Sequence, residues 1–160
     1  MIKHPIPPTY DSSSRILILG SFPSVKSREE GYFYAHPQNR FWKLLSALFE
    51  ESCPKSLDEK RDFLLRRHIA LWDVIASCEI NGSADSSIAK AEPNDIRKLL
   101  AETQIRAVYV NGRTADRLYR KYIEPMTSLP AHYLPSTSPA NAAWKLQDLL
   151  ASWNCILEHL

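Results

Sequence analysis

Four short apolar runs limit what this chain can fold into. Arg15-Ile-Leu-Ile-Leu-Gly20 is continuous and stops at glycine, and Ile69–Ile75, Ile105–Val110 and Ala131–Leu134 repeat the type at wide intervals. Runs this short, without polar alternation, suit strands buried on both faces, which is the situation of a parallel sheet.

Between the runs the apolar spacing becomes helical. Phe41, Trp42, Leu44, Leu45, Leu48 and Phe49 recur at that period from Asn39 onward. Ser56-Leu-Asp-Glu59 has the form of a capping box, opening a helix that continues to about His68. Pro93 occupies an expected first helical position before Ile96, Leu99 and Leu100. A further helix should follow Asn111-Gly112, carrying Ala115, Leu118, Tyr119 and Tyr122, and a last one should run from Pro139 through Trp144, Leu149 and Trp153. Strands alternating with helices predict an α/β fold, a three-layer α/β/α sandwich around a central four-stranded parallel sheet. Residues 1–14, with three prolines and a serine triplet, read as an extended lead-in, and residues 15–160 as one domain. Segments 21–38 and 76–92 read as long loops.

Composition narrows the chemistry. Cys53, Cys78 and Cys155 lie far apart without a Cys-x-x-Cys pair, so no metal site is expected. The formal net charge of +2 is too small to mark a nucleic-acid binder by bulk electrostatics, although residues 97–121 hold seven cations against Glu102 and Asp116. MIKHPIPPTYDSSS lacks the apolar core of a secretion signal, and no apolar run could span a bilayer, so a cytoplasmic protein without a membrane partner is expected.

In parallel α/β sheets ligands bind beyond the carboxyl ends of the strands. That rule singles out Gly20–Gln38, Ala76–Asn81, Asn111–Gly112 and Pro135–Asn141 as loops that should share one cleft. The first contains Ser21, Phe22, Pro23 and Ser24, then Tyr32, Phe33 and Tyr34; neither dinucleotide nor Walker-type glycine spacing occurs. Small residues around proline let backbone N–H groups approach a phosphate or base, and the aromatics offer a stacking plane or fill the core. Asn39 suits a helix cap. The last loop, Leu134-Pro-Ser-Thr-Ser-Pro-Ala-Asn-Ala142, gathers hydroxyls and an amide at an expected helix start, a setting able to hold phosphate without formal charge. His36 and His132 lie near the proposed cleft, and Asp73 and Glu79 straddle the end of the second strand. An Asp there suits a loop cap as well as a general base.

Gly20-x-x-Pro23, the run Tyr34-Ala-His-Pro-Gln-Asn-Arg-Phe-Trp42 and the late Pro135-Ser-Thr-Ser-Pro-Ala140 together resemble the uracil-DNA glycosylase superfamily, the middle run being similar to its mismatch-specific branch. The superfamily usually places a water-positioning Asp or Asn where this chain has Phe22, and Leu134 stands where a His or Asn often meets the departing base. The chain is most similar to the hypoxanthine-DNA glycosylase branch. That resemblance implies Asn39 as the catalytic residue, and Tyr34, Phe22 and Asn111 as base contacts, Asn111 being open also to a plain turn role. It further implies Ser21, Ser24, Ser136 and Ser138 on DNA phosphates, with Ala140 and Asn141 in a wedge that enters the duplex.

The reaction so implied is monofunctional: a deaminated base, hypoxanthine for preference, is flipped from damaged or mismatched DNA and its N-glycosidic bond is hydrolysed. Lys26 is the one lysine in these loops. No cofactor and no metal are implied, and a monomer is expected. Rival readings are a uracil or thymine mismatch glycosylase, a catalytically inactive module that binds damaged DNA, and a hydrolase of free nucleosides.

Overall fold

The computed structural model describes residues 1–160. Its elements are β1 (Ile2–Lys3), β2 (Ile16–Gly20), α1 (Val25–Glu30), α2 (Phe41–Leu48), α3 (Leu57–Arg66), β3 (Ile69–Asp73), β4 (Ile75–Glu79), β5 (Ala89–Pro93), α4 (Ile96–Ala101), β6 (Ala107–Asn111), α5 (Arg113–Tyr122), α6 (Glu124–Thr127), β7 (Ala131–Leu134) and α7 (Leu146–Trp153). Short 3-10 turns cover Asp85–Ser87 and Asn154–His159.

The expected sheet is present. Its four strands are all parallel, in the order β3-β2-β6-β7, with Ile18 opposite Leu71 on one side and Tyr109 on the other. Strand β2 is buried along its whole length, and its side chains divide by parity. Ile16 and Ile18 join Phe41, Leu45, Phe63, Leu64 and Trp153 in one core, whereas Leu17 and Leu19 join Ile96, Leu99, Ala115, Leu118 and Tyr119 in a second. Helices α2, α3 and α7 thus cover one face and α4 and α5 the other, giving the three layers that the alternation predicts. No helix is long and apolar enough to cross a membrane.

Five local expectations are corrected. The run 69–75 is two strands: β3 ends at Asp73, and β4 begins at Ile75 in a separate antiparallel sheet of order β1-β4-β5. That sheet takes up both ends of the segment 76–92 expected as loop, residues 76–79 and 89–92. Its strands carry little β signal, because Ala-Ser-Cys-Glu and Ala-Lys-Ala-Glu offer few branched residues and owe their pairing to tertiary contact. Pro93 ends β5, an edge strand that tolerates proline, and α4 instead starts after Asp95, whose side chain accepts the Lys98 N–H at 3.1 Å. Within 21–38 lies helix α1, capped by Ser24 and closed by Gly31 in the left-handed region at φ 78°. The last helix begins at Leu146 rather than at Pro139.

Residues 1–14 contain no helix, yet they are built into the domain. Ile2 and Lys3 pair with β4, Ile6 and Thr9 are buried, and Thr9 exchanges two backbone hydrogen bonds with Leu71, covering the outer edge of β3. This course carries His4 to the carboxyl end of the sheet.

Trp153 is fully buried, packs edge-on against Phe41 and donates its indole N–H to the Pro135 carbonyl at 2.9 Å. Trp153→Ala should lower the unfolding free energy by about 3–5 kcal/mol, measured by urea titration, through cavity formation and an orphaned carbonyl. A loss under about 1 kcal/mol would show that α7 is not part of the cooperative core.

Candidate active site

The parallel strands deliver Gly20, Asp73, Asn111 and Leu134 to one rim of the sheet. Beyond that rim lies a cavity of about 380 Å³, within the range of small-molecule sites. Gly20 forms part of its wall for a steric reason. A Cβ at this position would overlap Asp73 Oδ1 and meet the Tyr34 hydroxyl at 3.0 Å, so glycine lets both polar groups crowd over the strand end.

Phe22, Tyr34, Asn39 and Asn111 all line the cavity. Tyr34 holds a left-handed backbone at φ 54° and stacks on Phe41 with ring centroids 4.1 Å apart, so one ring face is fixed by the core. Its hydroxyl is buried and has no partner in the chain. Burial, and then the nearby charge of Asp73, push the phenol far above its ordinary range against the opposing influence of the nearby Asn111 amide, so it remains a donor. Phe22 is buried, with His4 edge-on at 5.7 Å and Arg28 over its ring.

Asn39 lies just ahead of α2, and its Oδ1 accepts the Phe41 N–H at 2.9 Å. That bond fixes the amide and leaves its NH₂ free. Asn111 is oriented by Thr137 from both sides: Oδ1 accepts the Thr137 N–H and Nδ2 donates to Thr137 Oγ1, each at 3.1 Å. Because a backbone N–H can only donate, the amide is unambiguous, with one N–H and one lone pair unspent.

The serines differ in availability. Ser21 donates to Asp85 Oδ1 at 2.9 Å and Ser24 donates to Ser27 Oγ at 3.1 Å, so both hydroxyl protons point into the protein. Ser136 accepts the Ser138 N–H and Ser138 accepts the Ala140 N–H, each at 3.1 Å, leaving their hydroxyl protons free at the cavity wall. Ala140 lines the cavity, while Asn141 does not; Asn141 donates to the Ser136 carbonyl at 3.0 Å and braces the loop.

This loop is not at a helix start, which removes the dipole expected to hold phosphate there. Arg40 organises it instead. The guanidinium donates to the carbonyls of Thr137, Ser138, Asn141 and Trp144, and the Arg40 backbone N–H donates to Thr137 O at 3.1 Å. Asn39 and the loop 137–144 are therefore coupled through adjacent residues.

Several residues of the site carried no decisive sequence signal. Asp73 is nearly fully buried, and its Oδ2 accepts from His4 Nε2 at 2.7 Å. The Ile6 N–H donates to His4 Nδ1 at 3.1 Å, which places the imidazole proton on Nε2. Asp85, from the 3-10 turn, also lines the cavity; burial raises its carboxyl above the ordinary range, the Ser21 hydrogen bond opposes this, and Asp73 adds to it. Of the other residues near the motifs, His36 lines the cavity. His132 is exposed against Tyr109, Glu79 pairs with Lys90, and Lys26 pairs with Glu30 outside it.

Residues 7–158 match the family model of the Uracil DNA glycosylase superfamily. The chain is 33% identical to a Hypoxanthine DNA glycosylase of Methanosarcina acetivorans over 99% of its length and 100% of the relative's. It is 34% identical to a Hypoxanthine DNA glycosylase of Methanosarcina barkeri, over 88% of this chain and 89% of the relative. A solution NMR structure of a candidate uracil DNA glycosylase from Methanosarcina acetivorans superposes with a TM-score of 0.81 at 32% identity, covering 99% of this chain and 100% of that one.

Arg40→Ala should speed hydrogen exchange of the Asn141 and Trp144 amides about tenfold or more, while amides of β2 and β6 keep their rates, since the lost bonds involve a charged donor. Unchanged exchange would mean that the loop holds its shape without the guanidinium.

Proposed function

The chain belongs to the Uracil DNA glycosylase superfamily, whose enzymes hydrolyse N-glycosyl bonds, and we propose that its own reaction is release of hypoxanthine from deoxyinosine in DNA. The observation that carries this reading is the fixed amide of Asn39, whose free NH₂ belongs to a cavity where Phe22 supplies no polar group.

In this reading a nucleotide leaves the duplex and its base enters the cavity. Extrusion costs a few kcal/mol, and a mispaired deoxyinosine surrenders less pairing than a normal base, which favours it. Tyr34 provides a plane backed by Phe41, Phe22 contacts the base beside it, and Asn111 meets the base edge with its unspent donor and acceptor. Asn39 orients water toward the sugar carbon. An amide is no strong base, but a dissociative cleavage asks chiefly for position. Ser136 and Ser138, with free hydroxyl protons, grip phosphates at the rim, and the loop around Ala140 and Asn141 enters the duplex at the vacated place. Ser21 and Ser24 support the phosphate-facing loop through their inward bonds. The names of the two Methanosarcina relatives support the choice of base. No lysine lines the cavity, in keeping with hydrolysis without a lyase step.

Duplex oligonucleotides carrying one hypoxanthine, uracil, xanthine or mispaired thymine, followed by alkaline cleavage at abasic sites, test the reading. Hypoxanthine should be released fastest, and Asn39→Ala should slow its release by about 10²-fold or more. Loss of the Phe41 hydrogen bond, which Asn39 accepts from the position before the Arg40 cap, costs about 1 kcal/mol, so the variant should stay folded, as an unfolding curve can verify. Binding of deoxyinosine DNA without base release would overturn the enzymatic reading, and faster release of any other base would overturn the stated preference.

A further inference from the structure

Two carboxylates reach the cavity from separate elements, Asp73 from the end of β3 and Asp85 from the 3-10 turn between β4 and β5. Each has one oxygen committed. Asp73 Oδ2 accepts from His4, leaving Oδ1 over Gly20, and Asp85 Oδ1 accepts the Ser21 hydroxyl, leaving Oδ2 without a partner in the chain. The buried Tyr34 hydroxyl, also without a partner, is a further polar atom at this strand end awaiting a ligand.

We propose that Asp85 and Asp73 divide the acid and base work of the glycosylase reaction, Asp85 protonating the departing purine and Asp73 receiving the proton of the attacking water. This rests on the hypoxanthine reading above and adds two catalytic residues to Asn39.

The assignment follows from the partners. The two carboxyls line one cavity, and burial favours the neutral form of Asp85. Asp73 has the stronger support, an imidazole N–H whose orientation is locked by the Ile6 backbone. Asp85 has a neutral hydroxyl from Ser21 and the lesser influence of the Arg117 charge, and burial outweighs both. Burial raises the Asp85 carboxyl, and Asp73 raises it further, in the same direction. Two carboxyls in such unlike surroundings are the arrangement that separates acid from base at glycosidic bonds.

The step balances. The bond from C1′ to purine N9 breaks with its electron pair going to the base, and the Asp85 proton passes to the purine imidazole nitrogen N7, so that hypoxanthine leaves neutral. Water, oriented by Asn39, forms the new bond to C1′ and gives a proton to Asp73. Proton exchange from Asp73 to Asp85 through solvent restores the starting state. Asn39 and Asp73 thereby serve the sugar, and Asp85 and Asn111 serve the base.

Leaving-group activation tests this division. Single-turnover release is measured with two duplexes, one bearing deoxyinosine and one bearing N7-methyl-deoxyinosine, whose base already carries the positive charge and needs no acid. Spontaneous loss is subtracted from both. Asp85→Asn keeps an acceptor for Ser21 and is expected to slow hypoxanthine release about 10²-fold or more, yet to release 7-methylhypoxanthine at close to the wild-type rate. Asp73→Asn should slow both. Equal slowing of both substrates by Asp85→Asn, with an unchanged unfolding midpoint, would overturn the acid role, as would no slowing of either. A wild-type protein that releases neither base sinks the hypoxanthine reading itself, whereas an active wild type indifferent to Asp85→Asn sinks only this inference.

Discussion

Strand β2 is the constraint on which the rest depends. It is hydrogen-bonded to β3 and β6 along both edges and covered on both faces, so neither its backbone nor its side chains meet water. Such a strand cannot shift register without turning Ile16 and Ile18 into the wrong core. Its terminus is consequently fixed, and Gly20 marks the point where three neighbouring strands end together. Because glycine lacks a side chain, the Asp73 carboxylate can lie across that end, and the Tyr34 hydroxyl can approach it. The site is less a set of loops than the exposed end of a rigid sheet.

Around that end, the polar groups of long connections must still be satisfied. Residues 135–145 solve this without helix or strand: serine hydroxyls accept the Ser138 and Ala140 N–H groups, Thr137 closes on Asn111, and Arg40 collects the Ser138 and Asn141 carbonyls. One guanidinium can do this because its donors form a planar fork. Since Arg40 follows Asn39 and precedes the first residue of α2, a packed helix, the loop 137–144 and the proposed catalytic amide share one anchor.

The parallel sheet was legible because full burial leaves a simple trace, short apolar runs that end at glycine or a polar residue. Helices α2, α3 and α5 were legible from their periodic faces. The second sheet was not, since β5 is an edge strand of small and charged residues whose pairing depends on β4, and β4 itself holds only Ile75 and Cys78 buried. The candidate site divides in the same manner. Phe22, Tyr34, Asn39, Asn111, Ser136 and Ser138 stand in recognisable runs at strand ends and do line one cavity. His4 and Asp85 could not be found, because each lies in a segment whose course is decided by tertiary pairing. Asp73 was visible as a strand-end Asp, but its partner His4 lies 69 residues away along the chain.

This distribution of charge also bears on how a weakly basic protein can act on DNA. A cavity containing two carboxyls repels phosphate and favours a sugar that is gaining positive charge. The backbone must therefore stop at the rim, where free hydroxyls rather than acids are presented. In the proposed reaction only the neutral base and its sugar go deeper. Lysines or arginines inside the cavity would attract phosphate into the place meant for the base and would neutralise the carboxyls. In the proposed reaction the small net charge and the acidic interior are then one arrangement: phosphate is met at the rim, and the carboxyls act on the bond that breaks.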